Sequence, residues 1–246
     1  MRFGVRVALA LACAISVACS GSALFRQYEY EEDVYLSLDG SATVYVNGSL
    51  AALDALRGAP FDTAPGARFN RDQVAAFFTT PVTHVVNVSN SRRSNRRFAH
   101  VRLEVSDVRR LSEAAPFAWS KYQFALKDGR YAYRQMIGAA AGSAPPGVNW
   151  NGSELVAFRL HLPSAPLVHN AGEANHKRGN ILVWEQTLAE RLHGKPLELV
   201  AQMETESILA HALWLFLGAL AAVVVAFALV VWWIVRRAPA PARMSS

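Results

Sequence analysis

Apolar and polar positions alternate with a period of two through much of this chain, and turn-forming residues cut the alternation into hairpin lengths. In VYLSLDGSATVYVNGS, residues 34–49, Val34, Leu36 and Leu38 share one strand face, Asp39 and Gly40 supply a turn, and Val44 and Val46 line the return. Ser49 is placed to cap a short helix over LAALDALR that Gly58 ends. Pro60, Pro65 and Gly66 make a loop, after which Asn70 starts a second helix with Gln73 positioned for a capping box and Val74, Phe77 and Phe78 as its packing face. Two strands, about 82–90 and 97–105, are joined by a polar tip, and a short helix near Val108 to Ala114 ends before Pro116. FAWSKYQFALKDGRYAYRQMIG predicts a third hairpin, with Trp119, Tyr122, Phe124, Tyr131 and Tyr133 on the strands and Asp128 and Gly129 at the turn.

The small-residue and proline-rich stretch AAAGSAPPGVNWNG, 139–152, is either a loop within one domain or a boundary between two subdomains. Strands resume at 155–163, 179–186 and 196–204. Hairpins alternating with short helices predict an α+β fold with mostly antiparallel pairing, sandwich-like or half-barrel, over residues 26–206. There is no repeat of fixed period.

At both ends the period-two pattern gives way to continuous apolar runs. Arg2 and Arg6 lead into VRVALALACAISVA, a positive segment followed by a short apolar one, so residues 1–23 read as a signal peptide. In ISVACSGSALF, Val17 and Ala18 precede Cys19 as in a bacterial lipoprotein signal, but Ser16 stands where a branched aliphatic residue is usual. Cys19 is therefore either a lipid attachment point, an unmodified first residue after a cut following Ala18, or part of a leader cut after Ala23. Residues 208–235 are apolar all round and exceed the roughly 20 needed to cross a bilayer as a helix. Trp214 near one end, Trp232 and Trp233 near the other, and Arg236 and Arg237 just beyond predict a C-terminal transmembrane helix, a cytoplasmic tail at 236–246 and an exported N-terminal domain. The last strand runs almost directly into this helix, so the domain is expected close to the surface of a bacterial cytoplasmic membrane.

These assignments change the meaning of the net charge of +6. Setting aside Arg2, Arg6, Arg236, Arg237 and Arg243 leaves 20 basic residues against 19 acids, so the exported part is near neutral and nucleic acid drops out as a partner. Both cysteines, Cys13 and Cys19, lie in or beside the leader, so the domain is held by packing and not by disulfides.

SNSRRSNRRF puts Arg92, Arg93, Arg96 and Arg97 at a hairpin tip, where guanidinium groups suit an anionic ligand or anionic-lipid contact, against the simpler reading of a solvated turn. EYEEDVY carries Glu29, Glu31, Glu32 and Asp33, but acids in a row on a strand alternate faces and cannot converge on a cation, so a solubilising strand edge is expected. His169, Glu173 and His176 are competent metal ligands at a spacing that matches no zinc motif. No nucleophile-elbow, Ser-x-x-Lys, His-Glu-x-x-His or phosphate-cradling glycine motif occurs, so no catalytic residue, metal or cofactor is assigned.

Leu162-Pro163, Asn170, Gly172, Asn180 and Trp184, together with the membrane-proximal strand and the C-terminal apolar helix, resemble the LppM-type family of bacterial membrane-anchored envelope proteins. The resemblance implies a signal peptide that is often lipoprotein-like, an exported α+β domain, one C-terminal span and an envelope role, with lipid binding considered for some members; no functional residue is carried over. The expected function is a noncatalytic single-pass envelope protein that binds a lipid or other envelope component at the membrane surface. A protein-interaction or assembly module for another membrane protein, and an envelope hydrolase without a recognisable motif, are the alternatives.

Overall fold

The computed structural model describes residues 26–64, 66–172 and 179–237; the expected leader with Cys13 and Cys19, the metal-ligand candidates Glu173 and His176, and residues 238–246 of the expected tail lie outside them. The period-two segments pair into two sheets. The larger has six strands in the order β3 (Thr83–Arg93), β4 (Arg96–Val105), β2 (Ala42–Ser49), β1 (Tyr28–Leu36), β7 (Leu155–His161), β9 (Ile181–Thr187). The smaller has four: β5 (Ser120–Lys127), β6 (Arg130–Ile137), β10 (Leu197–Met203) and β8 (Pro166–His169). All pairs are antiparallel except β1 with β7, and the sheets do not close into a barrel.

Local chemistry explains the turns and helices. The hairpin of β3 and β4 has a two-residue turn, Ser94 and Asn95, both at positive φ as such turns require, so the polar tip is shorter than the sequence suggests. Ser49 Oγ accepts from the Ala52 N–H to open α1 (Leu50–Arg57), and Gly58 at φ 63° closes it. Asn70 caps α2 (Arg71–Phe78) through the Gln73 N–H, but the Gln73 side chain donates to the Pro60 carbonyl at 2.8 Å instead of closing the expected capping box. The segment after β4 is a 3-10 helix, Val108–Glu113, not an α-helix. A short helix missed in the sequence, α3 (Leu188–Leu192), does have a complete capping box between Thr187 and Glu190.

One continuous apolar core fills the space between the sheets, with Val34, Val44, Val46, Val101, Leu103, Phe158 and Leu160 from the larger sheet facing Tyr122, Phe124, Tyr133, Leu199, Ala201 and Met203 from the smaller. α1 lies against it, burying Leu50, Leu53 and Leu56.

The acidic strand is where expectation and structure part. EYEEDVY is not a solubilising edge: β1 lies between β2 and β7, and Glu29 and Glu32 are 0% and 1% exposed. Such burial is tolerated because each acid of the run meets an arginine. Glu29 pairs with Arg96 at 2.8 Å and Glu32 with Arg57 at 2.6 Å, while on the outer face Arg159 takes Glu31 at 2.7 Å and Asp33 at 3.3 Å.

Glu32 joins the two sheets. From its own strand Tyr30 donates to Oε2 at 2.9 Å, and from the smaller sheet Tyr122 and Gln135 each donate to Oε1 at 3.1 Å. Tyr133 orients Gln135 through a 2.8 Å bond to its Oε1. Arg57 enters from the last position of α1, donates to the Pro116 carbonyl, and is packed among the rings of Tyr30, Phe117 and Trp119 at 4.7–4.8 Å. Burial pushes the Glu32 carboxyl up to about 7, against the opposing pull of its bonds from Gln135 and Tyr122, and pushes the Arg57 guanidinium down to about 9.

Two outcomes follow for chemical denaturation of the purified protein, read by tryptophan fluorescence. Arg57→Met strands a buried carboxyl and is expected to cost about 3–5 kcal/mol, with Glu32→Met added to it restoring most of the loss. Because the folded state holds the Glu32 proton more tightly than the unfolded chain, Glu32 makes stability fall as pH rises from the ordinary glutamate value to about 7; in Glu32→Gln that part of the slope should be absent.

Candidate functional site

The two-residue turn sets Arg92 opposite Arg97 and Arg93 opposite Arg96. Like charges so placed repel, and the four side chains are drawn to different partners. Arg92 donates to Asn95 Oδ1 at 2.7 Å in solvent. Arg93 donates to the Tyr28 carbonyl and lies 4.5 Å from the centre of the Phe98 ring. Arg96 turns inward to Glu29 and also reaches the Asn149 carbonyl at 3.3 Å. Arg97 is half-buried, and its Nε, like that of Arg96, is buried without a hydrogen-bond partner.

Arg96 and Arg97 thereby line a cleft of about 340 Å³, while Arg92 and Arg93 do not. Its other walls are Ser94 and Asn95 of the turn, Leu50 and Ala51 at the start of α1, Asp62 to Ala64, and Pro146 to Asn149 from the proline-rich loop. That loop is fastened at both ends of its course: Ala141 and Gly142 donate to the Leu56 and Ala55 carbonyls, and Trp150 Nε1 reaches Glu29 Oε2 at 3.4 Å. A Cβ at Gly142 would come 2.3 Å from the Asp54 carbonyl oxygen, so only glycine allows this approach. The cleft combines apolar walls with two guanidinium groups, a setting for an anionic group attached to an apolar body.

The strand order fixes where this cleft stands. β4 begins at Arg96 beside the end of β2 and the start of β1, which is also where β7 begins. β7 ends at the opposite pole, where Pro163 accepts a bond from the Ile208 N–H at 3.0 Å, the first residue of α4 (Ile208–Arg237). Strands of seven to ten residues separate the poles by roughly 20–30 Å. Within α4, Ala212–Ile234 is 23 residues, long and apolar enough to cross a membrane and not covered by the rest of the protein, unlike a core helix. Trp214, Trp232 and Trp233 are exposed along it, and the Arg236 guanidinium lies 4.4 Å from the Trp232 ring. A C-terminal membrane anchor is what such a helix fits.

Two further constellations bear on chemistry. Among the described residues no group of three or more His, Cys, Asp or Glu is arranged to hold a metal, and His169, in β8, is the one member of the suspected trio that is described. On the outer face of the larger sheet, three strands contribute a serine, a histidine and an amide that the sequence did not single out. Ser91 Oγ lies 2.8 Å from His100 Nε2, and His100 Nδ1 lies 3.0 Å from Asn47 Oδ1. Burial lowers the His100 pKa, which favours the neutral ring. With Asn47 accepting from Nδ1–H, Nε2 accepts from the serine hydroxyl, the orientation a general base requires. The chain lies on a sheet face, however, where the neighbouring backbone N–H groups are engaged in ladder bonds and none converges on an oxyanion position. Its role is to tie β2, β4 and β3 together.

The residues that carry the LppM-type resemblance form a connected structure. Asn170 Oδ1 accepts from Trp184 Nε1 at 3.0 Å and from the Val200 N–H at 2.8 Å, while Asn170 Nδ2 donates to the Glu198 carbonyl at 2.8 Å. Asn180 donates to the Leu162 carbonyl. The Asn170 contacts join β9 of one sheet to β10 of the other.

No family model and no curated protein sequence matches the chain. Among solved structures it is similar to the NMR structure of the folded domain of LppM from Mycobacterium tuberculosis, at 11% identity and a TM-score of 0.40, over 73% of this chain and 92% of that one. The likeness is a distant one of fold.

A serine-directed fluorophosphonate is expected to leave Ser91 unmodified, as read by peptide mass spectrometry. An adduct that disappears in His100→Ala would overturn the structural role given to this trio.

Proposed function

We propose that this is a single-pass, noncatalytic bacterial envelope protein, its sandwich exported and its tail in the cytoplasm, whose Arg96–Arg97 cleft binds the anionic group of a lipid or another envelope component. The observation that carries the reading is the cleft itself. Two guanidinium-bearing side chains line a space walled by Leu50, Ala51, Pro146 and Val148. Guanidinium N–H groups offer an anion there charge-assisted hydrogen bonds. Arg96 is half committed to Glu29, which fixes its position, and Arg97 has no ion pair within 4 Å among the described residues, which leaves it the principal binding charge.

The position of the cleft refines the expectation of contact at the membrane surface. At roughly 20–30 Å from the pole where α4 begins, the cleft faces away from the bilayer that α4 enters. Its ligand is therefore an anionic species lifted out of that bilayer or presented from elsewhere in the envelope, and the phosphate or carboxylate is the chemistry it reads. Lipidation at Cys19 would add a second anchor without changing this reading.

The test is calorimetric titration of the full chain in neutral detergent with a water-soluble short-chain phosphatidylglycerol, with short-chain phosphatidylcholine and inorganic phosphate as separate arms. Arg97→Gln is expected to weaken phosphatidylglycerol binding at least about tenfold, the worth of one charge-assisted hydrogen bond, and Arg92→Gln to leave it unchanged. Equal binding by the wild type and Arg97→Gln would overturn the reading. Inorganic phosphate binding as well as the lipid would assign the site to the anion alone.

A further inference from the structure

The pole from which α4 leaves carries a second feature of a different kind. Among the described residues, the large apolar side chains exposed on the sandwich itself are Tyr35, Val86, Leu126, Leu167 and Val168. Every one lies in the half of its sheet nearest α4. Tyr35 is beside His161 at the far end of β1, and Val86 follows shortly after β3 begins at that same end. Leu126 pairs with Tyr131, which pairs with Met203 on the last rung of β10, and Met203 in turn faces Pro166 at the start of β8. Five residues later the chain enters α4.

On the smaller sheet the three lie at the same end, Leu126 on the edge strand β5 and Leu167 and Val168 on the opposite edge strand β8. Leu126 lies on the face that is buried at Tyr122 and Phe124, yet it is 58% exposed. Leu167, 42% exposed, shares a groove with Gly129, Arg130 and Glu204 to Glu206, and Val168 follows at 51%. Lys127 and Arg130 flank the turn that also carries Asp128, and Glu204 and Glu206 border the groove, so the rim holds exposed charges of both signs. Apolar side chains with long cationic ones beside them suit the boundary between acyl chains and headgroups, where the apolar groups enter the hydrocarbon edge and Lys127 and Arg130 reach phosphates. The covering partner is identified by continuity, because this surface begins where an apolar helix of membrane-spanning length leaves the domain.

We infer that the end of the smaller sheet, Leu126, Lys127, Arg130, Leu167 and Val168, docks on the bilayer interface and seats the domain upright on the membrane. The inference rests on the reading of α4 as a membrane anchor. It goes beyond anchoring in assigning a second contact that sets orientation: a domain held by α4 alone would swing, whereas one seated on this end holds the arginine cleft at the opposite pole away from the bilayer.

The test uses the full chain in nanodiscs of phosphatidylethanolamine and phosphatidylglycerol, with a photoreactive benzophenone amino acid placed singly at position 126, 167, 92 or 220; position 92 is exposed at the arginine pole but outside the cleft. Mass spectrometry then reads lipid adducts. Adducts are expected at 126, 167 and 220 and none at 92. Adducts at 220 with none at 126 or 167 would overturn the docking surface while leaving the anchor in place, and absence of adducts at 220 would remove the anchor and the inference together. Adducts at 92 equal to those at 126 and 167 would also overturn it, since the domain would then have no preferred seat. In a second readout, Leu126→Glu with Leu167→Glu is expected to abolish the lipid-dependent hydrogen-exchange protection of residues 126–131; unchanged protection would count against the surface.

Discussion

Four acids placed in the middle of a six-stranded sheet are the constraint around which this domain is arranged. Glu29, Glu31, Glu32 and Asp33 lie on β1; Glu31 and Asp33 are half-buried on its outer face, while Glu29 and Glu32 have to be matched where they stand, because an unpaired charge in the interior costs several kcal/mol. The three arginines that match them come from separate parts of the chain. Arg57 is delivered by α1, Arg96 by the tip of the β3–β4 hairpin, and Arg159 by the parallel neighbour β7. Meeting these charges fixes the position of α1, the approach of the hairpin tip and the register of the parallel pair. The Glu32 network also fixes the second sheet, since Tyr122 and Gln135 must be in place to donate to its other oxygen. A sandwich held only by aliphatic contacts could slide, whereas hydrogen bonds from both sheets to one carboxyl have a single register.

The same pairing prepares the cleft. Arg96 is held by Glu29, and Glu29 also draws in Trp150 from the proline-rich loop, so one buried acid positions both a wall and a charge of the site. This is how a structural ion pair and the proposed binding residue come to be neighbours: Arg96 meets the demand of the core and Arg97, next in sequence, has no ion pair among the described residues. The two poles are then chemically distinct, one carrying the arginines and the other the exposed leucines and valines beside α4.

The hairpins were legible in the sequence where period-two alternation met a turn with positive-φ residues, as at Asp128 and Gly129, and α1 was legible from Ser49 and Gly58. The apolar C-terminal helix was legible from length alone. α3 was missed although Thr187 and Glu190 spell its capping box, because it is only five residues long and carries no periodicity. β8 has four residues and no alternation to detect. The burial of β1 was hidden for a physical reason: charge predicts exposure only until a partner is known, and Arg57, Arg96 and Arg159 lie 25 to 128 residues away from their acids. For the arginine tip the sequence singled out four equivalent residues, and only the fold separates Arg96 and Arg97, which enter the cleft, from Arg92 and Arg93, which do not. The Ser91–His100–Asn47 chain was invisible because its members are cross-strand neighbours, not sequence neighbours.

The central claim is that the domain has a bilayer-facing pole and a ligand-facing pole. The most direct measurement is the height of the arginine pole above the membrane, by energy transfer from a fluorophore attached at Asn95 of the reconstituted full chain to acceptor-labelled lipid headgroups. The account predicts a height of roughly 20–30 Å, the length of the strands between the poles, with a narrow distribution. A broad distribution, or an Asn95 position at the headgroups themselves, would contradict it.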